Sequence, residues 1–457
     1  MSQEGRLPSR RGAPEDSRRR SVTVAVLLLV TLMGFESMGV ASAMPTLVTD
    51  LHGTALYAWP FLTFPAAGVV AVVWSGRWCD GAGPRPALIA GPLLFVAGLL
   101  LAGAARSMAV LLAARVLQGL ADGVLIVPIY VVVGLLYPER DRPSMFGALS
   151  TAWVVPSLVG PALAGWFTEH LSWRWVFFAI VPFAVLGWLM LVPVLRTLPP
   201  HTAPVSASRR TPLWAALAGA GALLLISWAA QLRSAAAFLP AEIGLVVLTG
   251  SVRTLLPPGA LRARRGLPVT VLARGLLTGT FFATEAFVPL TLSTVHGYSV
   301  TASGLPLTVG ALGWAGASMW QSRRSGIRRE TLVWLGFLLS CAGIGSMALI
   351  APAWGPAWLT AALWTVAGAG TGLATSSLSV LTLSASTDAD RGFNSSAIQV
   401  SDMLGSVLLA GLGGALVARL APPAGVVVLD LLMAALALAG AAITGNRCET
   451  AASVSLE

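Results

Sequence analysis

Glu36, Arg115, Gln118, Asp122, Glu285 and Asp402 are polar residues set inside long apolar runs of a 457-residue chain. Ionisable groups in such runs are costly, so each marks a candidate site for moving a proton or an ion. Arg115, Gln118, Gly119 and Asp122 are spaced three, four and seven apart, which puts them on one face of a helix. Arg115 reads as a buried cation that stabilises neighbouring carboxylates. Gly119 and Gly123 form a G-x-x-x-G step that admits a second helix closely. A carboxyl held out of water keeps its proton more readily than one in solution. A carboxylate that takes either a proton or a cationic molecule, but not both, is the minimum equipment of an exchanger. Plainer readings stand beside this one: Glu36 as a neutral packing acid, Asp122 as the partner of Arg115, Asp402 as a cap or pair near a span end. Glu285 reads as the polar wall of a cavity, and Glu242 and Asp430, nearer span ends, read as interfacial.

The elements that must position these groups are long apolar segments. Of the residues, 56% are apolar and 11% charged, and the mean hydropathy is +0.79. No soluble domain of this size hides that much hydrocarbon, so the chain reads as a polytopic membrane protein. Apolar runs of about twenty residues give fourteen expected spans. The first covers 22–45, the fourth 109–136, the fifth 145–168, the ninth 269–292, the tenth 300–320 and the thirteenth 395–418. Arg-rich residues ahead of the first run and Ala41-Ser42-Ala43 after it imitate a signal peptide, but the run is too long and carries Glu36. It reads as an uncleaved span.

All 29 basic residues are arginine. A net charge of +10 usually suggests nucleic acid, but these arginines sit in short gaps between spans and report topology instead. With the N-terminus inside, 24 fall on the inner side, against Arg106, Arg174, Arg233 and Arg419 outside. Both termini are therefore expected in the cytoplasm. Without lysine there is no Walker A motif, so the chain is no self-sufficient ATP-driven pump, and no Schiff-base cofactor can form. The four histidines lie between spans, and Cys79, Cys341 and Cys448 are scattered; neither metal nor disulfide framework is expected.

Residues 76–85, Gly-Arg-Trp-Cys-Asp-Gly-Ala-Gly-Pro-Arg, fill a short polar gap between two spans. Gly76, Asp80, Gly83 and Arg85 match the loop signature between helices 2 and 3 of the major facilitator superfamily, and the segment resembles it. The glycines are expected to make a tight, close-packed turn. Arg115-x-x-Gln118-Gly119 resembles the same family in its fourth helix. Pro156-Ser-Leu-Val-Gly160-Pro161-Ala-Leu-Ala-Gly165 resembles its antiporter motif, with Pro156 and Ala164 departing and Gly160, Pro161 and Gly165 retained. Trp173-Arg174-Trp175-x-Phe177-Phe178 is similar to the segment before helix 6 in fourteen-helix drug:proton antiporters. Gly326-x-Arg328 faintly repeats Gly83-x-Arg85, as two related bundles would.

This resemblance implies an all-α major facilitator fold. A cytoplasmic basic tail at 1–21 leads into a six-helix bundle at 22–195. A linker at 196–268 carries two extra helices; a second six-helix bundle at 269–443 and a cytoplasmic tail at 444–457 follow. It implies a transporter rather than an enzyme, with proton-coupling acids in helices 1 and 4, matched here by Glu36 and Asp122. The expected function is proton-coupled export of lipophilic, cationic or neutral small molecules, driven by the proton gradient without a cofactor. A lipid or glycolipid exporter on the same fold is the alternative, and a non-transporting scaffold or sensor a distant one. Composition suggests a bacterial plasma membrane, and a monomer among lipids suffices for the mechanism. Trp153 and Trp314 are candidate pocket residues.

Asp80 lies between Arg77 and Arg85 and reads as a charged latch that sets the balance between two access states. Asp80→Asn is predicted to cripple turnover while leaving substrate affinity nearly intact. Equilibrium binding and efflux measured on one preparation decide this, and normal efflux in the variant would remove the latch assignment.

Overall fold

The computed structural model describes residues 13–137, 154–195, 212–232, 235–324, 326–386, 391–420 and 422–445, with a few isolated positions between 138 and 153. Among these residues the chain is helical throughout, without strands. The first group of helices comprises α1 (Ala13–Asp50), α2 (Trp59–Ala82), α3 (Arg85–Gly103), α4 (Met108–Leu136), α5 (Val154–His170), the single turn α6 (Trp175–Phe178) and α7 (Val181–Leu195). A pair follows, α8 (Leu213–Ala229) and α9 (Phe238–Leu255). The last group comprises α10 (Leu267–Glu285), the short α11 (Val288–Thr294), α12 (Val300–Ser322), α13 (Arg329–Met347), α14 (Thr360–Ser384), α15 (Arg391–Leu420) and α16 (Pro422–Thr444).

Twelve helices among the described residues are long and apolar enough on their own to cross a membrane. The expected count of fourteen is corrected accordingly. The two runs outside the twelve are 145–168, described as helix only over Val154–His170, and 300–320, where α12 carries Thr, Ser and Gln among its apolar residues. Helix α1 begins at Ala13, within the tail expected at 1–21, and its part apolar enough to span a membrane begins at Arg20. The tail from 446 and the whole 196–211 gap lie outside the described residues.

Local chemistry sets the helix ends. Ser107 and Ser299 cap α4 and α12 by accepting from the Val110 and Ala302 amides at 3.4 and 3.3 Å. Proline opens α2, α3, α10 and α11, where its missing N–H costs nothing. Gly83 closes α2 with φ +76°, a backbone conformation that favours glycine. At the end where α1 finishes, Trp173 and Arg174 donate to Asp50 at 2.8 and 3.2 Å, and Arg174 also reaches the Ala105 carbonyl. The Trp-Arg-Trp segment thus ties the finish of α1 to the finish of α3.

Within the first group α4 packs on α2 and α3, and α1 on α5 and α7. Within the last, α14 packs on α12 and α13, α10 on α15, and α13 on α16. The two groups meet along two seams, α5 against α12 and α2 against α15, and α8 touches both α2 and α15. Helix α9 packs on α8 and exposes Leu239, Leu245 and Val246, as a helix facing lipid does.

Close glycine contacts make the tightest crossings. A methyl group at Gly119 would run into the Phe64 carbonyl of α2, and one at Gly123 would lie 2.6 Å from the Ala71 side chain. A methyl group at Gly165 would strike the Thr301 backbone of α12, while one at Gly160 would make an ordinary 3.4 Å contact with Met38. Gly76 departs from expectation. It lies inside α2, which runs on to Ala82, and nothing stands within 4 Å of where its Cβ would be. The turn belongs to Gly83 alone.

Gly119→Ala is predicted to cost about 1–3 kcal/mol by overpacking, while Gly76→Ala is neutral or stabilising by about 0.5–1 kcal/mol. Thermal unfolding of the purified variants in one detergent checks the order. Equal midpoints would refute the crossing described for α2 and α4.

Candidate functional site

The first polar cluster joins α1 to α4. Arg115, 4% exposed, pairs through Nη1 with the Glu36 carboxylate, itself 1% exposed. The same Nη1 donates to Gln118 Oε1 at 2.9 Å, and Nε reaches the Pro60 carbonyl at 3.3 Å. The guanidinium stacks over the Phe64 ring, 4.5 Å from its centroid. Carbonyl, amide, ring and carboxylate together surround the cation, which is what a charge removed from water requires.

Asp122 shares this helix face but makes no hydrogen bond or ion pair among the described residues. It is half-buried. The partner of Arg115 is therefore Glu36, and the plainer reading of Asp122 as that partner does not describe this arrangement. The Gln118 amide nitrogen is likewise buried without a partner. Counting formal charges, Glu36, Asp122 and Arg115 sum to minus one when all are ionised.

The second cluster lies between α10 and α15. Arg274 Nε donates to both Asp402 oxygens at 2.8 and 3.1 Å, and Nη1 donates to the Thr375 carbonyl and to Ser379 Oγ, each at 2.9 Å. Thr278 donates to Asp402 at 3.0 Å. Asp402 is thus held within the last group of helices rather than offered to the first. Arg274 was absent from the sequence-derived site because its position near a span end reads as topological. The pairing of an acid and a base on separate spans was the signal that could have found it.

Glu285 ends α10 and is 7% exposed, with no partner among the described residues. One turn earlier stands an aromatic wall. Phe281 meets Trp314 edge-on at 5.4 Å and stacks on Trp364 at 4.7 Å, and Phe282 lies 6.2 Å from Trp314. Trp314 was a candidate from sequence; Phe281, Phe282 and Trp364 were not, because aromatic residues in apolar runs look like core. Trp153 lies outside the described residues, as does the Asp80 side chain.

Asp430 corrects an expectation. It is 1% exposed rather than interfacial, and neither carboxylate oxygen has a partner among the described residues. Also among the described residues, no three His, Cys, Asp or Glu side chains gather as a metal site would need. The structure brings together Glu36, Arg115 and the face bearing Asp122; Asp402 and Glu285 stand apart on the other group. At the end where α1 finishes, Tyr57 bridges the groups, donating to the Ala286 carbonyl at 2.8 Å with its ring 5.5 Å from Phe287. Glu169 accepts from the Thr301 amide there at 2.7 Å.

The family model of the Major Facilitator Superfamily matches residues 26–363. An uncharacterized MFS-type transporter of Mycobacterium tuberculosis (strain H37Rv) is 30% identical over 311 residues, covering 65% of this chain and 44% of the relative. The multidrug transporter protein MdtP of Bacillus subtilis (strain 168) is 26% identical over 196 residues, covering 43% of this chain and 35% of that protein. The chain therefore spans less than half the length of these curated relatives. Among solved structures, the human organic anion transporter MFSD10 aligns with TM-score 0.62 and 15% identity over 93% of this chain and 99% of that one. A POT family transporter bound to a thioalcohol-conjugated peptide aligns with TM-score 0.68 and 13% identity over 91% and 94%. At such identity the likeness speaks for the fold alone.

Arg115→Met is predicted to destabilise the protein by about 3–5 kcal/mol, because it leaves the Glu36 carboxylate buried without a counter-charge. The double variant Glu36→Gln with Arg115→Met should regain most of that loss. Thermal unfolding of the four proteins gives the coupling directly, and a double variant no more stable than Arg115→Met would refute the pairing.

Proposed function

The chain belongs to the Major Facilitator Superfamily, and from that premise we propose that it is a proton-coupled antiporter exporting lipophilic, cationic or neutral small molecules. The observation that carries this reading is the Glu36–Arg115 pair with Asp122 left unpaired on the same helix face. One negative charge in excess, within hydrocarbon, is balanced by one positive charge. A proton or a cationic substrate supplies it equally well, and each excludes the other. That exclusion is the coupling: substrate arriving from inside displaces a proton, and the proton returning from outside displaces substrate. The two bundles alternate access by rocking around this site, with Glu285 and the Phe281–Phe282–Trp314 wall lining the opposite side.

Further support comes from the absence of lysine, which leaves no Walker A site for ATP. The membrane potential supplies about 2.3 kcal/mol per charge per 100 mV, enough for concentrative export when one net charge moves inward per cycle. The likeness to a Bacillus multidrug transporter, 26% identical over 43% of this chain, supports drug export. The arginine bias supports a plasma membrane location in bacteria with both termini in the cytoplasm. The site lies within one chain, so a monomer is sufficient.

Proton release on substrate addition, measured with purified protein and a panel of cationic, neutral and lipidic compounds, tests the proposal. Cationic dyes should release protons from the wild type. Glu36→Gln should abolish pH-dependent efflux and weaken cationic substrates about tenfold or more, ~1.4 kcal/mol or above, while sparing neutral ones. Asp122→Asn removes the same single excess negative charge, so it too should suppress pH-dependent efflux and weaken cationic substrates. Unchanged release in Glu36→Gln would overturn the assignment of Glu36, and stimulation by lipids alone would replace drug export with lipid export.

A further inference from the structure

Asp430 sits buried on α16, 1% exposed, and it is the only ionisable residue of that helix. Both its oxygens and the Thr284 hydroxyl are buried without partners among the described residues. Asp430 and Thr284 both line one small cavity with about 20 Å³ of room for water-sized atoms. Thr291 and Thr360 line it too. Each donates its proton to a helix carbonyl, Phe287 at 2.9 Å and Ala357 at 2.6 Å, and so keeps lone pairs to offer. Beside Val288, Leu292, Met347, Ile350 and Val426, the lining thus includes one carboxylate and three threonine hydroxyls, from α10, α11, α14 and α16, as its hard donors.

We propose that this cavity is a binding site for a single dehydrated Na⁺ ion, held by Asp430, Thr284, Thr291 and Thr360. A neutral carboxylic acid beside three threonines would close on one of them at ordinary hydrogen-bond distance, yet neither oxygen of Asp430 does so. A hard cation of this size holds its oxygens at about 2.3–2.6 Å, which keeps ligands at right angles about 3.4 Å apart, at the edge of hydrogen-bond reach. One carboxylate with otherwise neutral oxygens balances one positive charge; a divalent ion would leave a net charge in hydrocarbon. The site also lies at the break between α10 and α11, the place where interrupted membrane helices supply ion ligands.

Protons compete for the same carboxylate, so binding strengthens as pH rises. The charged or titratable groups on the elements packed against α16 are few. Helix α10 bears Glu285, next to Thr284 in the chain, and Arg274, which is paired with Asp402 of α15. Helices α11 and α14 bear none. Helix α13 bears Cys341, with Arg329 and Glu330 at its opposite end, and α15 further bears Arg391 and Arg419 at its two ends. His296 approaches only through the Ile350 carbonyl, at 2.7 Å.

The inference is independent of the Glu36 reading, since it needs no transported substrate. The test uses the full chain purified in detergent, with thermal unfolding followed against NaCl at constant ionic strength balanced by choline chloride. Na⁺ should raise the midpoint saturably by a few degrees, K⁺ and choline should not, and the effect should shrink on going from pH 8 to pH 5.5. Asp430→Asn should abolish the response, and Thr284→Val should raise the half-saturating Na⁺ concentration roughly tenfold. Radioactive ²²Na⁺ binding to the wild type should approach one ion per chain, and this measurement stands even if Asp430→Asn fails to fold. No Na⁺-specific shift in the wild type, no ²²Na⁺ bound, or an equal response in a folded Asp430→Asn would each overturn the proposal. Failure here leaves proton-coupled export untouched, and loss of coupling in Glu36→Gln leaves this site untouched.

Discussion

Hydrocarbon offers neither water nor counter-ions, so every charge carried into it must be answered from within the chain. Arg115 is where this demand is heaviest in the first group of helices. Its guanidinium draws on α1 for a carboxylate, on α2 for a carbonyl and a ring face, and on its own helix for an amide. Those three helices must therefore be brought to one place. Gly119 and Gly123 let α4 approach α2 closely enough for Arg115 to reach Pro60 and Phe64. Packing and charge thus support one another: the glycines fix the spacing, and the ion pair gives the crossing a unique register.

The second group meets the same demand in a different way. Arg274 spreads over Asp402, the Thr375 carbonyl and Ser379, which stitches α10 to α15 and α14. This pair is complete, with donor and acceptor capacity largely used. Asp122 and Glu285 are not complete in this sense, and a transporter needs some groups left so. A fully satisfied network is a brace; an acid without a partner is a place for something to arrive.

Much of this was readable from residues and spacing. The all-α polytopic architecture follows from apolar runs and arginine distribution, and scarce charges in long apolar segments single out Glu36, Arg115 and Asp122, although spacing offers Asp122 rather than Glu36 as the partner of Arg115. What the chain order hides is neighbourhood. Asp430 stands close to a span end in sequence, yet four other helices close around it. Arg274 looks like a topological cation until α15 is seen to deliver Asp402 opposite it. Gly76 looks like part of a turn because Gly83 is, but a helix end is set by capping and by one positive φ, and α2 runs past Gly76 before meeting them. Of the two apolar runs outside the twelve helices that stand as spans by themselves, 145–168 is described as helix only in part, and α12 packs inside the bundle, where a span tolerates polar residues that one facing lipid does not.

The added pair α8–α9 bears on how the two groups of helices face the surrounding bilayer. The two groups of helices border each other along two seams, and α8 lies across one of them, touching α2 and α15 together. Whatever diffuses in the plane of the bilayer meets a third helix there, backed by α9. The α5–α12 seam carries no such cover from the pair. The two seams between the groups are thereby made unequal: one is bordered by a third helix and the other is left to the two groups alone.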